Sequence, residues 1–246
     1  EGIEAYDVID HDAIRAEIRR LIDARRRPPA EKARYFWPLA RPSWTVEECE
    51  AALLPWVDAQ TTAWEHTAAF ERAFATEFGY AAAVMCNSGS SADLLAAMLA
   101  QAQGRPLGRT QAAVVPAVTW PTQLWSLLMA GFEVRLVDVN PVSLTVRLED
   151  VQAAVAELND FGNTTVFATH LLGLPWDMDA LATWCAEQSV TLIEDCCEAL
   201  GAKWNRKSVG TFGLAGTHSL FVAHHLSCGE GGVVGLSAAQ DAPRVP

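Results

Sequence analysis

The sequence predicts an α/β protein, a three-layer αβα arrangement around a mostly parallel seven-stranded sheet. Two observations carry this. From Ala81 onward, short apolar runs alternate with amphipathic stretches, the pattern of strands separated by crossover helices. The runs are apolar throughout rather than on every second residue, as in strands covered on both faces. A third observation is permissive: of 246 residues, 50% are hydrophobic and 20% charged, enough apolar material for one large domain with an appendage.

The elements follow in order. Asp12 to Arg27 places Ile14, Ile18, Leu21 and Ile22 at helical spacing, and Pro28 and Pro29 are expected to end that helix. Arg34 to Trp44 reads as extended, because Pro38 and Pro42 interrupt it. A second helix should start near Thr45, with Glu48 three residues on as a capping box. A third, Trp64 to Phe78, sets Phe70, Phe74 and Phe78 on one face. The predicted strands are Ala82–Cys86, Ala112–Pro116, Glu133–Asp138, Thr165–Thr169, Thr191–Glu194, Thr217–Phe221 and Gly232–Leu236, and the helices between them Ala92–Gln101, Thr122–Met129, Leu148–Glu157 and Met178–Glu187. The expected organisation is a helical segment over 1–78, an α/β domain over 79–236, and a frayed tail over 237–246, where small and polar residues and proline collect.

The formal net charge of −12 disfavours nonspecific binding to nucleic acid or to an anionic membrane. The run Arg25-Arg26-Arg27 reads as a solvated helix face. Cys49, Cys86, Cys185, Cys196, Cys197 and Cys228 show no CxxC pair and no zinc spacing, so no metal site is expected. With no apolar leader at Glu1 to Asp12 and no apolar segment of membrane-spanning length, a reduced, cytoplasmic protein is expected.

In a parallel sheet, ligands bind at the carboxyl ends of the strands, and several polar clusters follow a strand directly. After the first comes Asn87-Ser88-Gly89-Ser90-Ser91-Ala92, then a helix. Small residues before a helix N-terminus suit a phosphate cradle, or simply a capped helix. After the second comes Thr119-Trp120-Pro121-Thr122, whose tryptophan could stack on a flat ring or serve packing. After the fifth comes Glu194-Asp195-Cys196-Cys197-Glu198, where an acid could pair with a protonated ring nitrogen or cap a helix. Last comes Ser219, then His224-His225 ahead of Gly229-Glu230-Gly231-Gly232. A phosphate loop, a stacking aromatic, an acid and a reactive group, in that order, describe a pyridoxal phosphate site. The usual reactive group is a lysine. This chain has only Lys32, Lys203 and Lys207, and histidines stand in the final turn.

Taken together, these motifs resemble the sugar aminotransferase family of fold type I pyridoxal phosphate proteins, and within it the NDP-4-keto-6-deoxyhexose 3-dehydratases, which carry histidine in place of lysine. The resemblance runs from about Asp12 to Val234 and includes the Gly210-Thr211-Phe212-Gly213 turn. It implies that Gly89, Ser90 and Ser219 hold the phosphate and that Trp120 lies against the ring. It further implies that Asp195 pairs with the pyridine nitrogen, that Glu198 lies beside the cofactor, and that His224 takes the lysine's place. The implied cofactor is pyridoxamine or pyridoxal phosphate, the implied substrate a nucleotide-linked 4-keto-6-deoxy sugar losing its hydroxyl at carbon 3. The implied assembly is a homodimer, with the amine regenerated from glutamate or through a reductase. The family's C-terminal small domain is expected to be absent. Asp93 stands where the family has asparagine, and Leu174 replaces a polar residue. The alternatives are a sugar aminotransferase, disfavoured because no lysine fits the slot, and a relative that binds cofactor or a partner without turnover.

Overall fold

The computed structural model describes residues 10–25, 44–58, 62, 65–103 and 111–237. The chain divides into two compact units between Glu65 and His66. In the first, α1 (His11–Arg25) and α2 (Val46–Val57) are joined by the Arg19–Glu50 and His11–Asp58 pairs. The expected capping box forms, with the Thr45 N–H donating to the Glu48 carboxylate at 2.6 Å. The expected stop at Pro28 and Pro29, the extended 34–43 stretch and the 238–246 tail lie outside the described residues.

The second unit begins with α3 (Glu65–Phe78) and continues as β1 (Ala82–Cys86), α4 (Gly89–Gln101), β2 (Ala112–Pro116), α5 (Pro121–Met129), β3 (Glu133–Val137), α6 (Leu148–Leu158), β4 (Thr164–Thr169), α7 (Met178–Gln188) and β5 (Thr191–Asp195). A short hairpin of β6 (Lys203–Trp204) and β7 (Lys207–Ser208) precedes β8 (Ala215–Ser219) and β9 (Gly232–Leu236). The seven long strands form one sheet in the order β1-β9-β8-β5-β4-β2-β3. Parallel pairing links β3, β2, β4, β5 and β8, whereas β9 runs antiparallel to both β8 and β1.

Side chains alternate between two cores, as the pleat requires. Val114, Val166, Ala168 and Leu192 face α6 and α7 with Val151, Val155, Met178 and Leu181. Val115, Phe167 and Ile193 face the other way, against Ala92, Ala96, Ala97 and Ala100 of α4 and Leu127 of α5. Four alanines with no exposed surface let α4 lie close on the sheet.

A third cluster sits on β1 and β9, where Phe74 and Phe78 of α3 pack with Tyr80, Ala83, Leu220 and Val233. Tyr80 reaches into a slot walled by glycines: a Cβ on Gly216 would stand 2.4 Å from its hydroxyl, and one on Gly235 2.5 Å from its ring. Its hydroxyl meets His218 Nε2 at 2.7 Å.

The expected strand Thr217–Phe221 lies two residues earlier, at Ala215–Ser219. The apolar run that suggested the later start continues into the turn beyond the sheet, where Leu220 is buried under β9. Gly216 is a strand residue, and nothing larger fits there beside Tyr80.

Two outcomes are expected. Gly216→Ala should lower the unfolding free energy by about 2 kcal/mol or more through overpacking, read as an earlier midpoint in urea. Burial, with a smaller push from His170, depresses His218 to about 3 from 6.5. The unfolded chain therefore binds a proton in that window that the folded chain refuses. Stability should fall as pH drops from 6.5 toward 3, by up to about 1.4 kcal/mol per pH unit, and His218→Gln should flatten that slope.

Candidate functional site

Because β1, β2, β4, β5 and β8 run the same way, their carboxyl ends share one edge of the sheet, and the reversed β9 brings its amino end there too. The polar clusters read from the sequence converge on this edge. Ser88 caps α4, its hydroxyl oxygen accepting the Ser91 N–H at 3.1 Å. The Gly89 and Ser90 N–H groups have no hydrogen-bond partner among the described residues, so the helix start presents two free donors and a partial positive charge. Gly89 is required there: a Cβ would fall 2.7 Å from Ser219 Cβ and 3.0 Å from Cys197 Sγ. Gly232 is equally constrained, since its Cβ would meet the Ser88 carbonyl oxygen at 2.2 Å. Loop, strand end and β9 thus close on one point, and Ser219 borders the cradle.

Trp120 stands at the amino end of α5 with 67% of its surface exposed. Behind it, Thr119 and Thr169 both donate to the Gln123 side-chain oxygen, at 2.7 and 2.9 Å, which fixes the loop after β2 against the end of β4. Asp195, at the end of β5, is buried and accepts the Cys197 N–H at 2.9 Å. Burial raises its pKa above the usual carboxylate value, opposed by that hydrogen bond. Among the described residues it has no lysine or arginine partner. Glu198 accepts the Leu172 N–H at 2.7 Å and so anchors the Leu171–Gly173 turn, where Leu172 and Gly173 both have positive φ.

His224 lies in the turn between β8 and β9. The turn is tied by Leu220 N–H to the Gly231 oxygen at 2.8 Å, Cys228 N–H to the Leu220 oxygen at 3.1 Å and His224 N–H to the Phe221 oxygen at 2.9 Å. His224 is half-buried and His225 exposed. Burial lowers the His224 pKa below its ordinary 6.5, Glu198 pulls it upward, His225 lowers it and Asp195 raises it, which places the imidazole within electrostatic reach of both carboxylates.

Sequence reasoning missed three partners. His170, fully buried, bonds Glu194 Oε2 at 3.1 Å through Nε2, takes the Trp176 N–H at 3.4 Å on Nδ1 and gives its own N–H to the Asp195 carbonyl at 3.0 Å. Glu194 also accepts Gly210, Phe212 and Gly213 N–H groups at 2.7, 2.7 and 3.0 Å. Asp93 is buried beside Asp195 and accepts the Thr217 hydroxyl at 2.7 Å. The available signal was a carboxylate inside apolar sequence at Asp93 and Glu194, and a histidine closing an apolar run at His170. A cavity of about 1020 Å³, bordered by Phe78, Cys185, Leu192 and Phe212, lies at the amino end of β5 and does not include Gly89, Trp120, Asp195 or Ser219.

The chain is 35% identical over 199 residues to a GDP-4-keto-6-deoxy-D-mannose 3-dehydratase of Yersinia pseudotuberculosis, covering 80% of this chain and 50% of that protein. It is 35% identical over 176 residues to an L-glutamine:2-deoxy-scyllo-inosose aminotransferase of Streptomyces lividus, covering 72% and 39%. A crystal structure of the Escherichia coli GDP-4-keto-6-deoxy-D-mannose-3-dehydratase with bound hydrated PLP superposes with a TM-score of 0.73 at 33% identity, over 82% of this chain and 51% of that one. The chain therefore spans about half the length of the curated dehydratase it matches. Residues 46–242 match the DegT/DnrJ/EryC1/StrS aminotransferase family; with the three-layer fold and the carboxyl-edge site, the chain belongs to that family.

Proposed function

We propose that this chain carries the cofactor-binding core of a pyridoxamine phosphate-dependent 3-dehydratase acting on a nucleotide-linked 4-keto-6-deoxyhexose. The observation that carries the reading is the residue at the reactive position. His224 stands in the turn between β8 and β9, within electrostatic reach of Asp195 and Glu198, where covalent attachment would need a lysine. Lys203 and Lys207 lie on the β6–β7 hairpin, Lys207 with its ammonium 4.2 Å over the Phe212 ring, and Lys32 is outside the described residues. Among the described residues no lysine stands at that position, which speaks against an aminotransferase reading.

The residues fit the cofactor. The free Gly89 and Ser90 amides and the Ser219 hydroxyl suit a phosphate group, and the exposed Trp120 face suits a ring. Asp195, buried without a cation partner, gains one from a protonated ring nitrogen. When bound, the cofactor supplies an amine for the 4-keto group and a ring that takes up an electron pair, so that the hydroxyl at carbon 3 can leave. His224, kept below its ordinary pKa by burial, is neutral at pH 7 and takes the proton from the methylene carbon. Glu198 holds the Leu171–Gly173 turn.

We further propose self-association as a homodimer. Leu95 and Met98 on α4 and Trp125, Leu128 and Met129 on α5 are exposed, and α5 begins at Trp120 beside the site. An apolar face this rich suits a second copy.

Absorbance after gel filtration tests the cofactor reading. The parent is expected to retain pyridoxamine phosphate noncovalently, His224→Lys to gain a borohydride-fixed link to pyridoxal phosphate, and Asp195→Asn to hold either form about tenfold more weakly or worse. A borohydride-fixed link in the parent would refute it, while retained cofactor without turnover of any 4-keto-6-deoxy sugar nucleotide would favour a non-catalytic relative. The acidic limb of the dehydration rate is expected below pH 6.5, because the base must be neutral and burial keeps it so. Sedimentation should show a dimer that Met129→Glu weakens.

A further inference from the structure

We propose that Asp93 is a positioning residue for Asp195 that works as a carboxylic acid rather than a carboxylate, seating Thr217 and leaving Asp195 as the ionised member of the pair. This rests on the reading that Asp195 faces the cofactor ring.

Asp93 lies one turn into α4, facing the sheet, with 2% of its surface exposed, and Asp195 has 4%. Carboxylate oxygens of the two, and the Cys197 sulfur, lie within 4.8 Å of one another. Among the described residues neither carboxylate forms an ion pair with lysine or arginine. Two buried carboxyl groups this close cannot both be ionised without a cation, because each charge would be desolvated and would repel the other.

The surroundings decide which one keeps the proton. Asp195 accepts a backbone N–H from Cys197 and feels His170, both of which favour its charge. Asp93 accepts only the Thr217 hydroxyl. Burial, then Asp195, raises the Asp93 pKa well above the usual value, and the Thr217 bond only partly offsets this.

The other titratable groups near Asp93 are the thiols of Cys86 on β1 and of Cys196 and Cys197 after β5. Glu194, next along β5, is turned to the Gly210–Gly213 amides. His218, next along β8, projects from the other face to Tyr80. Glu198 lies beyond Asp195, while α5 and β9, also packed on α4, carry no titratable side chain.

The proton has a measurable consequence in the protein without cofactor. Folded Asp93 holds a proton that the unfolded chain releases above about pH 4. Stability therefore falls as pH rises from there toward the raised folded value. Asn has the same shape and no proton to lose. Thermal unfolding of the parent, Asp93→Asn and Asp93→Ala across pH 5 to 8 tests this. Asp93→Asn is expected to melt above the parent at pH 8, with the gap closing toward pH 5 at roughly 3 °C per pH unit. Asp93→Ala should melt below Asp93→Asn at every pH, since Thr217 loses its acceptor.

A gap independent of pH, or a parent more stable than Asp93→Asn at pH 8, would overturn the proposal. So would a parent whose melting falls on adding EDTA, which would mean a cation between the two carboxylates. Pyridoxamine phosphate retention separates this from the functional reading. Asp93→Asn should retain it as the parent does while Asp195→Asn does not. Failure of every protein to retain it removes the link to a cofactor but leaves the melting result intact. Loss in Asp93→Asn alone would overturn the positioning role.

Discussion

One buried carboxylate holds the site edge together. Glu194 has no exposed surface and accepts four hydrogen bonds, three from the backbone of the Gly210–Gly213 turn and one from His170. Leaving such a group unpaired in the interior would be strongly unfavourable, so the turn before β8 is drawn to one place on β5. His170 is fixed by the same group, and through its N–H it steadies the Asp195 carbonyl. The next residue of β5 is then available for chemistry because its neighbour is wholly consumed by structure. The two acids of the Glu194-Asp195 pair point to opposite faces of the sheet, as consecutive strand residues must.

Most of the architecture could be read from the sequence, because buried strands and alanine-rich or amphipathic helices leave a local pattern. The small hairpin could not. Its turn uses Asn205 and Arg206 at positive φ, a geometry usually announced by an Asn-Gly pair, and its strands are two residues long. The start of β8 was misplaced because the apolar run continues past the strand, and the glycine at its second position answers to Tyr80, more than a hundred residues away in sequence. The candidate site was legible as a set of clusters after strands. What the sequence could not give was which carboxylates meet. Asp93 read as a neighbour of the phosphate loop; in the fold its side chain turns inward to Thr217 and Asp195. That pairing is set by how closely α4 lies on β5 and β8, which depends on the small side chains of α4.

The fold and the candidate chemistry meet at glycines. Gly89 and Gly232 let two segments approach where side chains would collide, and the Gly89 and Ser90 amides stand unpaired at that junction. The proposed phosphate end of the site is thus part of the packing between α4 and β9.

The reversed strand β9 has a further consequence, in the order of assembly. It pairs with β1 from Ala82 opposite Leu236 to Cys86 opposite Gly232, so the first and last strands of the sheet are hydrogen-bonded neighbours. During synthesis, β1 and α4 emerge early and wait for nearly the whole of the unit before their partner exists. Contacts of such separation form slowly, and until they form both edges of β1 are unpaired. The close approach of Gly232 to Ser88 exists only once β9 docks, so the start of α4 is among the last parts of the unit to be enclosed.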